Sequence, residues 1–331
     1  MRFFWLLLFI VFRYGESNER LQPDILLVVA DDAGHADVGW YNEKMRSPFL
    51  DSLANDEKRT IRFDRFYAYP TCSPTRGALM SGRYAHENSL TFAVIGPRSI
   101  SGVNPKLPFF TKSFKRLGYA THLVGKWHCG HAKRAYLPTS RGFDTFFGLL
   151  GGGFHHGRKL CPMNLSTSDL WNGTTRLNLD DERMSVDIHA TDLFADEASR
   201  IVKSSTKRQD RKPLFLMLSY TAVHDPLVVS EKYVKPCSHH ITRRRREMCS
   251  MMLQLDQGTK KVVESFDNTD NLVIMFMSDN GGFNFGGGLN YPLRGVKTGV
   301  FEGGIRTWCL SASLSLSRKS LQHIAFVRIY K

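Results

Sequence analysis

The sequence predicts an α/β fold in which a mostly parallel central sheet is covered by helices on both faces. Three observations carry that reading. The runs DILLVVA (24–30), LFLMLSY (214–220) and LVIMFM (272–277) are apolar throughout, the pattern of strands buried on both sides. Amphipathic, helix-period stretches lie between them, as crossovers between parallel strands require. The chain has 331 residues, 42% hydrophobic and 23% charged, which is enough for a sizeable core in one large or two modest domains and excludes a disordered, collagen-like or coiled-coil chain.

In order, residues 24–30 form the first strand and residues 47–57 read as a capped helix. A further helix opens at Cys72, just after a proline-containing turn. Residues 107–117 are helical in period, 119–125 extended and 182–204 a longer helix. The strand at 214–220, a helical stretch at 247–266 and the strand at 272–277 complete the core. No internal repeat, linker or low-complexity tract is visible. At the N-terminus, Arg2 and the apolar run 3–12 read as a secretory leader, residues 1–17, with an uncleaved signal anchor as the alternative. No later stretch is apolar and long enough to cross a membrane. The sequons at Asn164 and Asn172 agree with passage through the secretory route as glycosylation acceptors. The six cysteines, at 72, 129, 161, 237, 249 and 309, are too sparse for a disulfide-built fold and lack zinc-type spacing.

The net charge of +14 suits an anionic partner. Its sharpest run, residues 243–246, sits just before the expected helix at 247, either as a solvated surface loop or as a polyanion contact. No recognition motif or aromatic platform accompanies it, so no nucleic-acid partner is expected.

Polar residues follow the apolar strands at once: Asp31 and Asp32 after the first, His224 after the second, Asp279 and Asn280 after the third. In a parallel sheet these positions share one edge, where open α/β folds keep their sites. Hard oxygen donors of this kind suit calcium or magnesium, although either pair alone could merely cap a helix. Cys72 at a helix start gains a lowered thiol pKa from the helix terminus; a reactive thiol, a disulfide partner and a buried small hydrophobe are all open. Arg76 lies one turn on, on the same face. Lys126 and His128, two apart on an extended strand end, can point to one side. With His224 and Lys297 they complete a site for a divalent cation plus a tetrahedral oxyanion, with acid and base groups for an oxygen leaving group.

The stretches DDAGHADVGW, CSPTRGALMSGRY, GYATHLVGKWHCG, RGFDTFFG, AVHDPL, SDNGG and NYPLRGVKTGVFEGGIR resemble, in order, the formylglycine-dependent sulfatases, and within them most of all arylsulfatase B, the N-acetylgalactosamine-4-sulfatase type. They run from residue 24 to about 306. The resemblance implies a three-layer, alkaline-phosphatase-like core and hydrolysis of sulfate esters from a sulfated glycan, an amino sugar or a small ester. It also implies that a formylglycine-generating enzyme oxidises Cys72 to an aldehyde whose gem-diol is the nucleophile. Calcium would be held by Asp31, Asp32, Asp279, Asn280 and the modified residue 72. Arg76 would steady the gem-diol, Lys126 the sulfate; His224 and Lys297 would protonate the leaving group, and His128 would take the proton that expels sulfate. Thr75, where the family often has Ser, keeps a hydroxyl, so modification is expected to survive. A lysosomal or extracellular destination follows.

The family is usually longer, with a smaller C-terminal subdomain. The expected organisation is therefore a leader (1–17), a catalytic domain (21–310) and an atypical tail (311–331), with the subdomain missing or incomplete. The alternative function is an inactive truncated homologue that binds sulfated polyanions. A related phosphatase or phosphodiesterase would need more His and Asp metal ligands than this pattern supplies.

Overall fold

The computed structural model describes residues 22–90, 94–152, 168–177, 188–206, 211–239 and 242–313. The expected leader, Cys161, Asn164 and residues 314–331 of the expected tail lie outside them.

One sheet organises the described residues. Its strands are β1 (Asp24–Ala30), β2 (Thr60–Tyr67), β3 (Ala120–Lys126), β4 (Thr145–Leu149), β5 (Leu170–Asn172), β6 (Thr175–Arg176), β7 (Leu214–Ser219), β8 (Leu272–Ser278) and β9 (Arg306–Ser313), in the order β2-β9-β8-β1-β7-β3-β4-β5-β6. The run β8-β1-β7-β3-β4 is parallel, and the flanking pairs β2–β9, β9–β8, β4–β5 and β5–β6 are antiparallel. The sheet is thus mixed, parallel where the apolar strands predicted it.

The helices are α1 (Pro48–Ala54), α2 (Cys72–Ser81), α3 (Phe110–Arg116), α4 (Ala190–Thr206), α5 (Arg243–Val263) and the short α6 (Glu302–Ile305). Alternation along β1 divides the core. Leu26 and Val28 pack with Leu50 of α1, Phe194 of α4 and Met252 of α5. Ile25, Leu27 and Val29 pack with Leu79 of α2 and Phe114 of α3. All five β1 side chains are fully buried, each stabilising the fold by roughly 1.5–3 kcal/mol. Helices on both faces of a buried parallel sheet give the three layers that were expected.

Several boundaries differ from the expectation. Among the described residues α4 begins at Ala190, where the Nδ1 of His189 accepts the Thr191 N–H at 3.2 Å. Helix α5 begins at Arg243, so the arginine run is its first turn and not a loop before it; Thr242 caps it by accepting the Arg245 N–H at 3.3 Å. Arg243 pairs with Glu247 one turn on, and Arg245 reaches the buried Asp37. A disulfide joins Cys237 to Cys249 within α5, while Cys72, Cys129 and Cys309 are free and buried. Strand β9 runs to Ser313, past residue 310, between β8 and β2.

Candidate functional site

The parallel strands end side by side, and their ends carry the polar residues. Asp31 and Asp32 leave β1, Asp279 and Asn280 leave β8, Lys126 ends β3 and Ser219 ends β7. The β1–β8 register pairs Ala30 with Ser278, so the two acidic pairs start level. Backbone bonds lock them: the Asp279 N–H donates to Ala30 O at 3.1 Å, and the Asp32 N–H donates to Asp279 Oδ1 at 3.2 Å. Asp32 takes a left-handed φ of 60°, which costs roughly 1 kcal/mol and turns the chain there.

Cys72 enters from α2. Its Sγ lies 3.4 Å from Asp31 Oδ1 and 3.9 Å from Asp32 Oδ1. Burial and the Asp279 carboxylate push the thiol well above its ordinary pKa, so the lowering expected at a helix start does not occur. Unmodified, this side chain is a protonated thiol and a weak nucleophile. One turn on, Arg76 is buried and donates from Nη2 and Nε to one oxygen, Asp279 Oδ2, at 2.8 and 3.0 Å. Its Nη1 also donates to Ser219 Oγ at 2.6 Å and to Lys126 O at 3.1 Å. Ser219 is a site residue that sequence reasoning missed, although a polar residue closing an apolar strand was the available signal.

Gly125 makes this convergence possible. At φ 106° a Cβ there would lie 1.9 Å from Ser219 O, so only glycine lets β3 approach β7 this closely just before Lys126. The Lys126 Nζ then donates to Asp31 Oδ2 at 2.5 Å, both side chains fully buried. His128 is brought in differently from the expectation. The strand does not continue extended; the chain turns over at His128, φ 55°, and Nε2 bonds the Ile95 carbonyl at 3.0 Å. Its Nδ1 is buried without a hydrogen-bond partner. Burial, then the Lys126 and Arg76 charges, hold His128 well below the usual histidine range, hence neutral.

From the opposite side, Lys297 Nζ donates to Asp32 Oδ2 at 2.7 Å, and His224 Nε2 lies 3.6 Å from the same oxygen. The His224 Nδ1–H donates to Asp225 O at 2.5 Å, which aims Nε2 at the cluster. Although burial opposes its charge, the Asp32 and Asp31 carboxylates around Lys297 hold it protonated, well above the ordinary lysine range. Burial would raise Asp31, but Lys126, His224, Arg76 and Lys297 together keep it ionised. Burial and the charge of Asp31 push Asp279 up. The structure therefore brings every expected site residue among 31, 32, 72, 76, 126, 128, 224, 279, 280 and 297 to one sheet edge. Asn172 stands apart, exposed at the end of β5.

Ligand atoms of Asp31, Asp32, Cys72 and His224 lie within 4.8 Å of one another, a spacing that can hold a metal ion. Asn280 Nδ2 donates to Asp32 Oδ1 at 2.8 Å, while its Oδ1 is buried with no hydrogen-bond partner. A buried, orphaned amide oxygen on a side chain that touches Asp32 fits a hard divalent cation.

A family model described as Sulfatase matches residues 23–315. Arylsulfatase J of Mus musculus is 34% identical over 294 residues, covering 86% of this chain and 47% of the mouse protein. N-acetylgalactosamine-6-sulfatase of Homo sapiens is 28% identical over 314 residues, covering 88% and 57%. The chain therefore spans about half the length of these curated relatives. Among solved structures, Ps i-CgsB in complex with k-i-k-neocarrahexaose superposes with a TM-score of 0.79 at 30% identity, covering 88% of this chain and 66% of that one. BT4656 in complex with D-glucosamine-2-N,6-O-disulfate shares the fold, with a TM-score of 0.64 at 17% identity over 88% of this chain and 71% of that one.

Proposed function

Because the chain belongs to the sulfatase family, we propose that it is a sulfuric ester hydrolase acting on a sulfated amino sugar or glycosaminoglycan. The observation that carries this reading is the meeting of Asp31, Asp32, Cys72, Asp279 and Asn280 with Arg76, Lys126 and Lys297 at one sheet edge. Such a site matches a tetrahedral oxyanion held between fixed positive charges.

In this reading Asp31, Asp32, Asp279, Asn280 and residue 72 would hold calcium, and the unpartnered Asn280 oxygen supports that assignment. Bound there, calcium would supply positive charge for the developing oxyanion. Conversion of Cys72 to formylglycine by the formylglycine-generating enzyme, which would supply the oxidant and release the cysteine sulfur, would leave a hydrated aldehyde, one hydroxyl of which would attack the sulfate sulfur as its S–O bond to the alcohol breaks. Arg76, fixed by Asp279 and Ser219, steadies that residue, and Lys126 neutralises a sulfate oxygen. Lys297 and His224 face the ester oxygen and give the leaving group its proton. His128, neutral and with Nδ1 unpartnered, takes the proton from the second hydroxyl, which expels sulfate and restores the aldehyde.

The reading carries further assignments: maturation in the secretory pathway toward a lysosomal or extracellular destination, and glycosylation at the exposed Asn172. N-acetylgalactosamine 4-sulfate is the first ester to assay. Protein matured through a secretory pathway is expected to release sulfate from it, and the Cys72→Ala variant to release none. Equal release by both would contradict the reading.

A further inference from the structure

We propose that Arg244 and Phe285 form a subsite for an anionic sugar ring at the mouth of the site, on the His224 side. The subsite rests on the sulfate-ester reading for what lies beside it, and on the following geometry for itself.

His224 has a side chain 15% exposed and reaches inward to Asp32. Its neighbour Asp225 faces outward, with Oδ1 3.3 Å from Arg244 Nη1, and the two side chains are 41% and 59% exposed. The turn Asn284–Gly286 is seated against this pair. A Cβ on Gly286 would lie 3.3 Å from Asp225 Cβ, and one on Gly287 would lie 3.0 Å from Arg244 O. Phe285, in that turn, is 78% exposed. Its ring rests against Phe283, with centroids 5.6 Å apart and planes tilted by 57°. The residue after Arg244, Arg245, fastens this turn to α5, donating to Gly287 O at 2.7 Å and to buried Asp37.

A guanidinium and an aromatic face on one rim match one anionic pyranose. The ring's apolar face covers the aromatic, and its carboxylate or second sulfate takes the guanidinium fork. An exposed pair such as Arg244–Asp225 is weak, so a ligand anion exchanges readily for Asp225. The arginine run that the catalytic reading leaves unused thereby gains a role through one member.

The test is calorimetric titration of the whole chain with a chondroitin 4-sulfate tetrasaccharide and with its carboxyl-reduced form, beside turnover of para-nitrophenyl sulfate. Arg244→Gln is expected to weaken tetrasaccharide binding about tenfold, and Phe285→Ser severalfold, with the rate on the small ester unchanged. An Arg244 effect confined to the native tetrasaccharide assigns the carboxylate; an equal effect on both forms assigns a second sulfate. Arg244-dependent binding by a chain that turns over neither ester keeps the subsite and removes the hydrolase reading. The inference is overturned if the wild type does not bind the tetrasaccharide, if Arg244→Gln binds it like the wild type, or if turnover of the small ester falls in parallel.

Discussion

Asp37 and Arg245 are 208 residues apart, yet Arg245 Nη1 meets Asp37 Oδ1 at 2.5 Å, with the aspartate side chain fully buried. The same carboxylate accepts the Gly34 N–H at 2.8 Å and the Leu289 N–H at 3.1 Å. It therefore ties the loop that carries Asp31 and Asp32 to the loop after Asn280 and to α5.

Removing one partner leaves a buried charge uncompensated. Arg245→Met is expected to cost about 3–5 kcal/mol, read as a lower urea midpoint. The double variant with Asp37→Asn should recover part of that loss. A single variant as stable as wild type would show that the pair does not hold these loops.

The orphaned oxygen of Asn280 predicts that calcium stabilises the folded chain. At a hundredfold excess over its Kd the gain is about 2.7 kcal/mol, visible as a raised thermal midpoint that chelator reverses. Asp279→Asn and Asn280→Ala should each abolish the shift. A shift that survives both places the ion elsewhere.

Acid should destabilise the chain through buried histidines. His189 donates from Nε2 to Val228 O at 2.9 Å and accepts the Thr191 N–H on Nδ1, which requires the neutral ring. Burial holds its pKa below 6.5, outweighing the Val228 carbonyl and Asp192; burial acts in the same direction at His35, His122 and His128. As pH falls through 6.5 the unfolded chain binds protons that the native state refuses, so the contribution is full above that value and is lost below it. His189→Asn, which keeps an acceptor at the start of α4, should make stability less steep between about pH 7 and 5. An unchanged slope would remove His189 from the account.

The Cys237–Cys249 bond joins residues 12 apart in sequence, the buried end of the turn Lys235–Cys237 and α5. Cys237→Ser with Cys249→Ser is expected to cost about 2–3 kcal/mol, measured by denaturant unfolding without reductant. No change would mean that the bond adds nothing to the folded chain.

Much of the site was legible because β1, β7 and β8 are apolar on both faces, and a polar residue after such a strand marks its end. What was not legible follows from weaker local signals. In β2 the alternation of Ile61 and Phe63 with Arg62 and Asp64 breaks at a register shift between Phe63 and Phe66. The end of β9, Ser311 to Ser313, is built of small residues, two of them polar, yet is buried by its neighbours β2 and β8. The arginines of α5 oppose the usual charge preference of a helix start, and for Arg244 and Arg245 it is tertiary partners, Asp225 and Asp37, that explain them. The turn at His128, φ 55°, and the close approach of Gly125 to the Ser219 backbone are tertiary features that no local pattern announces.

Residue 72, in the function proposed here, is the converted nucleophile of a sulfate-ester hydrolase. Mass spectrometry of the peptide spanning Cys72, from protein matured through a secretory pathway, tests it most directly. An aldehyde in place of the thiol is expected. A soluble, folded chain carrying only cysteine at position 72 would contradict it and favour a protein that binds sulfated polyanions without cleaving them.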